Sequence, residues 1–265
     1  MAQFNLNVPN ENLAKSPNEN YARELMQLFS VGLVKLGQDG SILRDSKGKP
    51  IETYSQDDVI MATKALSGWQ NDWKETPKSD SENARVPMKP RSNADAHDTT
   101  QKVLLGKTIP AGQTIQKDLE SVIGILAGHP NTAPFISKQL IQRLVTSNPT
   151  PAYVYRVAQK FENNGSGTRG DLSAVVRAIL TDYEARSSTT LTAPTFGKLR
   201  EPLIRATALL RSFGANPASG RYISGLANTE TALAQSALRA PTVFNFFRPD
   251  YVLPGALASA GLVAP

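Results

Sequence analysis

Apolar side chains recur along this chain at helical spacing, about every 3.6 residues, and almost never at the period of two that marks a strand. Tyr21, Leu25, Leu28 and Phe29 make one such stripe, with Asn20, Arg23, Glu24 and Gln27 off it. Ser16 reads as the N-cap of that helix, Pro17 as its first residue and Glu19 as the acid closing a capping box, while Gly32 ends it. A second capped start, Ser55-Gln56-Asp57-Asp58, opens a helix through Val59, Ala62, Thr63 and Leu66 that stops at Gly68. Between the two, Asp39-Gly40 and Ser46-Lys47-Gly48 are turn signals, and they predict a small β-hairpin over 33–54 that pairs 33–36 with 51–54.

Helical spacing lapses over 69–101, where Pro77, Pro87, Pro90 and many polar residues predict one long loop. It resumes at Leu119–Leu126, Asn131–Val145, Ala152–Phe161, Leu172–Leu180 (with Asp171 as N-cap) and Glu201–Phe213. A Ser/Thr-rich linker is expected at 186–197, and Gly214–Ala227 reads as weakly structured. No internal repeat is visible. These elements predict an all-α fold: a single irregular multi-helix domain over 1–265, with the long loop and the hairpin as its exceptions. The tail, without a terminal signal, reads as that of a chain cut from something longer, and Phe244-Asn245-Phe246-Phe247 as core or as a surface that docks a missing part.

Composition narrows the chemistry. The 265 residues include no cysteine and two histidines, which excludes thiol nucleophiles, disulfides, zinc fingers and iron–sulfur clusters. A net charge of +6 hints at nucleic acid, but Lys and Arg are interleaved with acids, so no nucleic-acid binding is expected. No stretch approaches the roughly 18 to 20 apolar residues of a membrane span.

Several segments, read in order, carry a family resemblance. They are Asn18-Glu19-Asn20-Tyr21-Ala22-Arg23-Glu24-Leu25, Tyr54-Ser55-Gln56-Asp57-Asp58-Val59 with Ala65-Leu66-Ser67-Gly68-Trp69, and His97-Asp98 with Lys102 and Leu105-Gly106. They continue with His129-Pro130-Asn131-Thr132-Ala133-Pro134-Phe135, Lys198-Leu199-Arg200-Glu201-Pro202, and Pro241-Thr242-Val243-Phe244-Asn245-Phe246-Phe247-Arg248-Pro249. Together they resemble the bacterial family known as domain of unknown function 1800. The resemblance implies that this chain corresponds to the carboxy-terminal half of longer, often exported relatives, with a missing N-terminal helical half as a partner in the fold. Many relatives have a His where this chain has Phe29, so any role of that His is lacking here.

No Gly-x-Ser-x-Gly elbow, Ser-x-x-Lys pair, phosphate loop or dinucleotide fingerprint occurs. The groups that could do chemistry are carboxylates and the two histidines. Glu19, Glu24, His97 and Asp98 are therefore the candidate catalytic residues, as acid and base in a hydrolase-like reaction, with a glycoside or polysaccharide favoured over an ester. Asn18, Asn20, Arg23, Lys102 and His129 are candidate substrate ligands, and Trp69 and Trp73 candidate stacking platforms for a sugar ring. The bland readings are as concrete: Glu19 as cap and ion-pair partner of Arg23, His97 as a loop anchor, His129 as a dipole partner at a helix end, Trp69 as a core plug. No cofactor is expected. The alternatives are a non-catalytic exported helical accessory or assembly protein and, more weakly, a divalent-metal module built from carboxylates and His.

Overall fold

Ser55 opens the helix on which the first half of the molecule is built. Its hydroxyl accepts from Asp58 N–H and the Asp58 carboxylate accepts from Ser55 N–H, the reciprocal box expected from the sequence. The structure, a computed structural model, describes residues 18–72, 86–93, 96–198, 200–216, 218, 229–237, 239–242, 246, 251–252 and 254–262. The described chain is mostly helical, and two compact units divide it.

Unit 1 comprises residues 1–137 and 154–175. Helix α1 (Asn20–Gln27) and helix α2 (Gln56–Ala65) pack against one another. α2 also meets the strand Lys102–Leu104 and helix α3 (Ile115–Gly128), so it is the hub of the unit. Ala22, Met26, Val31, Ala62, Ala65, Leu66, Leu104, Ile109, Val122 and Leu126 form the core between these elements. α3 starts four residues before the expected Leu119, because Thr114 caps it by accepting from Lys117 N–H. Ser16 and Pro17, expected to open α1, lie outside the described residues.

Part of the expected long loop is ordered as antiparallel ribbon. Strands β1 (Trp69–Gln70) and β2 (Lys89–Pro90) pair with one another. After the loop, β3 (Lys102–Leu104) and β4 (Lys107–Ile109) make a hairpin that helical periodicity does not reveal. Its two-residue turn holds Leu105 at φ 49 and Gly106 at φ 73, and Asp58 Oδ1 accepts from Leu105 N–H at 2.7 Å, fastening the turn to α2.

The expected 33–54 hairpin exists at the Val34–Glu52 bridge, but a third segment is woven into it. Lys35 N–H donates to Ile51, Ile51 N–H to Leu43 and Leu43 N–H back to Lys35, a closed ring of three backbone bonds at 2.8 to 3.0 Å. Its two turns repeat at eight residues: Gly40 and Gly48 have φ 75 and 76, with matching bonds Gly40 N–H to Gly37 and Gly48 N–H to Asp45. Of this local repeat the sequence shows only the matched turn glycines, Gly40 and Gly48; the rest is shared backbone geometry.

The loop is tied to helix α4 (Thr132–Leu144) by one side chain. Asn131 Nδ2 donates to the carbonyls of Val31 (2.6 Å) and Val34 (2.9 Å), and its Oδ1 accepts from Leu36 N–H (2.6 Å). Gly32 lies in the same turn at φ 70, where a Cβ would sit 2.5 Å from the Phe135 ring. A side chain there is excluded twice over, by conformation and by space.

Unit 2 comprises 138–153 and 176–265. Helices α5 (Pro151–Glu162) and α6 (Leu172–Thr181), like α4, contribute to both units. Within unit 2 the fully buried Tyr153 donates its hydroxyl to Ile179 carbonyl at 2.6 Å, and Glu184 in helix α7 (Tyr183–Arg186) accepts from Thr150 hydroxyl. The expected linker holds a 3-10 turn, Ser188–Thr192, capped by Ser187. Helix α8 (Pro202–Ser212) packs on helix α9 (Thr229–Leu233), and α10 (Ala256–Ser259) follows. Most of 214–227 and of the 244–247 aromatic cluster lies outside the described residues.

Asn131→Ala would strip three backbone groups of their partner, leaving buried donors and acceptors unpaired at roughly 1 to 3 kcal/mol each before relaxation. The expected loss is about 2 to 4 kcal/mol in urea denaturation.

Candidate functional site

Three sets of polar side chains occupy unit 1, and no side-chain hydrogen bond or ion pair joins them among the described residues. The first lies where α1 meets α2. Glu19 Oε2 accepts from Arg23 at 2.8 Å and from Gln56 Nε2 at 2.7 Å, and Arg23 also donates to Gln56 Oε1 at 3.0 Å. Asn18 Oδ1 accepts from Asn20 N–H, an ordinary turn contact. Glu19 is thus the ion-pair partner expected of it, while its neighbour Glu24 behaves differently. Glu24 Oε2 is buried without a hydrogen-bond partner, and so is the Tyr54 hydroxyl. Burial pushes the Tyr54 hydroxyl up, Arg23 pulls it down and Glu24 pushes it up again, so the three groups share one neighbourhood.

The second set surrounds His97. Lys102, 1% exposed, donates to Asp98 carbonyl (2.6 Å), Thr100 carbonyl (2.9 Å) and Asp118 Oδ2 (2.9 Å), which uses all three ammonium protons. No donor is left for a substrate. Asp118 Oδ1 accepts from Gln113 Nε2 at 2.7 Å. His97 Nε2 stands 3.3 Å from Asp118 Oδ2, at ion-pair range but outside hydrogen-bond alignment. On the other side, Nδ1 faces Ser67 carbonyl at 3.1 Å and Ser67 Oγ at 3.3 Å.

Ser67, His97 and Asp118 thus stand in the order of a serine-hydrolase triad, and hydrogen accounting rejects that reading. Ser67 donates its only hydroxyl proton to Lys64 carbonyl at 2.7 Å, and its Oγ accepts from Asp98 N–H. Nδ1 must therefore carry the proton of its contact with Ser67 carbonyl, and a protonated Nδ1 cannot act as base toward Oγ. Gly68 closes the set: its φ is 92, and a Cβ would stand 3.2 Å from both Ala96 carbonyl and His97 Cβ. Burial pushes the Asp98 carboxyl up, but bonds from Thr100 and the charges of Lys102 and Lys64 outweigh it and leave the group lowered. The Nδ1 contact with Ser67 carbonyl is the kind that the loop-anchor reading of His97 expects.

The third set caps α3. His129 Nδ1 accepts from Asn131 N–H at 3.1 Å, so the ring is held neutral and is not the cationic dipole partner expected at this helix end. Arg169 fills that place instead. Its Nε donates to Ala127 carbonyl (2.8 Å) and Nη2 to His129 carbonyl (2.9 Å), with Glu162 as its ion partner and the Phe161 ring 5.3 Å below. Burial, then Lys35 and Arg169, hold His129 below the usual imidazole range against the opposing charge of Asp58.

Trp69 is half-buried with its indole N–H buried and unpaired, and Trp73 lies outside the described residues. No group of three or more His, Asp and Glu side chains suited to a metal occurs among the described residues. Asp118 went unnoticed in the sequence although a signal existed: Asp118, Val122 and Leu126 form an i, i+4, i+8 stripe, all buried, so an acid stands on the apolar face of α3. Arg169, in a Gly-flanked polar stretch, carried no such signal.

Two outcomes follow for these sets. Lys102→Met leaves a buried carboxylate uncompensated and is expected to cost about 3 to 5 kcal/mol in urea unfolding, with much of it recovered in Lys102→Met/Asp118→Leu. The second concerns His129, whose folded-state pKa lies below the unfolded value of about 6.5. Its contribution to stability is then full above about pH 6.5 and lost as pH falls from there through the folded value. Unfolding midpoints measured between about pH 7 and 5 should fall more steeply in the wild type than in His129→Gln.

The model of a family described as "Protein of unknown function (DUF1800)" matches residues 7–265. No curated protein and no solved structure matches the chain.

Proposed function

We propose, starting from a chain that belongs to the DUF1800 family, that unit 1 is a non-catalytic helical scaffold, an accessory or assembly module whose motifs lock long connections onto α2 and α3. The observation that carries this reading is the saturation of the motif side chains. Lys102 has no spare proton, Asn131 holds three backbone groups, and Glu19 and Asp118 each hold two partners. Lys102, Asp118 and Asn131 must each break a buried bond before touching a substrate, which opposes turnover, while the Glu19 bonds are part-buried or exposed.

A second reading, a carboxylate hydrolase acting on a glycoside, is favoured by one observation alone. Glu24 Oε2 and the Tyr54 hydroxyl are buried, unpaired and in electrostatic contact, and unsatisfied polar groups cluster where chemistry is done. Glu19 would supply the second carboxyl from within its ion pair with Arg23.

Glu24→Gln separates the two. The scaffold reading expects no turnover of chromogenic glycosides or esters by wild type, and a change in stability within about 1 kcal/mol for the variant, since an unpaired carboxylate is replaced by an uncharged amide. Wild-type turnover that Glu24→Gln abolishes while circular dichroism and unfolding midpoint hold would establish the hydrolase instead.

A further inference from the structure

The turn that joins α5 to α6 is held by its own asparagines. Asn163 Oδ1 accepts from Gly165 N–H (2.8 Å) and Gly167 N–H (2.9 Å), and Asn164 Oδ1 accepts from Ser166 N–H (2.8 Å) and Thr168 N–H (3.2 Å). Asn164 Nδ2 donates to Asp171 Oδ2 at 2.8 Å, while Asp171 Oδ1 accepts from Ala174 N–H at 3.1 Å and so caps α6. Asn164 is also the only asparagine in the sequence that a glycine follows. Gly165 is exposed at φ 108, and no heavy atom beyond its chain neighbours lies within 4 Å of the place a Cβ would take. Nothing therefore crowds the backbone nitrogen beside the Asn164 amide.

We propose that Asn164 is a site of covalent self-modification, deamidation through a cyclic imide with Gly165, and that Asn163 and Asp171 hold it in check. In this reaction the Gly165 nitrogen attacks Asn164 Cγ, a C–N bond closes the imide ring, and Nδ2 leaves as ammonia with the proton that Gly165 gives up. Water then opens the imide at either carbonyl and leaves aspartate or isoaspartate at 164. The fold opposes the first step at both reacting groups. The Gly165 proton is bonded to Asn163 Oδ1, and the Asn164 amide, which must turn to bring Cγ onto that nitrogen, is bonded at both Oδ1 and Nδ2. The product is felt beyond the turn. A carboxylate at 164 would face Asp171 Oδ2 where an amide donor now stands, and like charges that close repel. Asn164 first, then Ala174, hold the Asp171 carboxyl below the usual carboxylate range, so the modification removes the first support of the α6 cap. Isoaspartate would also lengthen the backbone of a turn in which Asn164 N–H donates to Thr168 carbonyl at 3.0 Å, next to Arg169, the cap of α3. The chemistry belongs to this turn alone and is the same whether unit 1 is a scaffold or an enzyme.

Incubation of the full chain in mildly alkaline buffer, native and in urea, with aspartate and isoaspartate at 164 counted by peptide mapping, tests the proposal. In urea Asn164 is expected to convert before any other asparagine, and in the native chain more slowly than in urea, a comparison that needs no variant. Asn163→Ala should speed native conversion roughly 2- to 10-fold, the net worth of one hydrogen bond read as a rate, while circular dichroism stays that of the wild type. Asn163→Asp keeps an acceptor for Gly165 N–H and should convert at about the wild-type rate. Asn164→Asp, the product made directly, should lower the urea midpoint, and Asp171→Asn in the same chain should restore it. Equal rates for native and unfolded chains, an Asn164 no faster in urea than the other asparagines, or a folded Asn163→Ala that converts no faster than wild type would overturn the proposal.

Discussion

A lysine ammonium and an aspartate carboxylate that are almost wholly withdrawn from water dictate much of unit 1. Lys102 and Asp118 can be buried only if every proton and lone pair they lose to desolvation is replaced. The replacements come from elsewhere in the chain: the carbonyls of Asp98 and Thr100, and the amide of Gln113. The pair therefore fixes the path of residues 97–102 and the rotation of α3 about its axis. Ser67 extends the constraint to α2, since its hydroxyl holds both Lys64 carbonyl and Asp98 N–H. Glycine at 68 is then favoured, because the backbone has φ 92 there and a Cβ would stand 3.2 Å from Ala96 carbonyl.

The same economy runs through the other motifs. Asn131 replaces the sheet partners that Val31, Val34 and Leu36 lack, and Arg169 supplies donors to the carbonyls that α3 leaves open. His129 contributes a lone pair, not a charge, which is why its neutral form is the one the fold prefers. Residues that look reactive in a sequence are used here as connectors, because irregular backbone must find hydrogen bonds that neither helix nor sheet provides.

Around Lys102 each charge meets its opposite or a carbonyl. Among the described residues, Glu24 and Tyr54 each keep a buried oxygen unpaired, and Glu24 acts electrostatically on the Tyr54 hydroxyl.

Read alone, the sequence determined what local physics controls. The Ser55 capping box, the span of α4 and α5 to within a residue or two, α8 behind Glu201-Pro202, and the Arg23–Glu19 pair all rest on neighbours three or four positions apart. It also placed both histidines within polar motifs. Only the tertiary structure decided what those motifs do. Asp118 meets Lys102 sixteen residues away, Asn131 reaches back about a hundred to Val31, and Leu105 accepts a positive φ because Asp58, forty-seven residues earlier, rewards its N–H. Local pattern records which groups a segment carries. Whether a carboxylate works as catalyst, clamp or counter-ion depends on which donors the rest of the chain brings within about 3 Å of it, and that is a property of the packed fold.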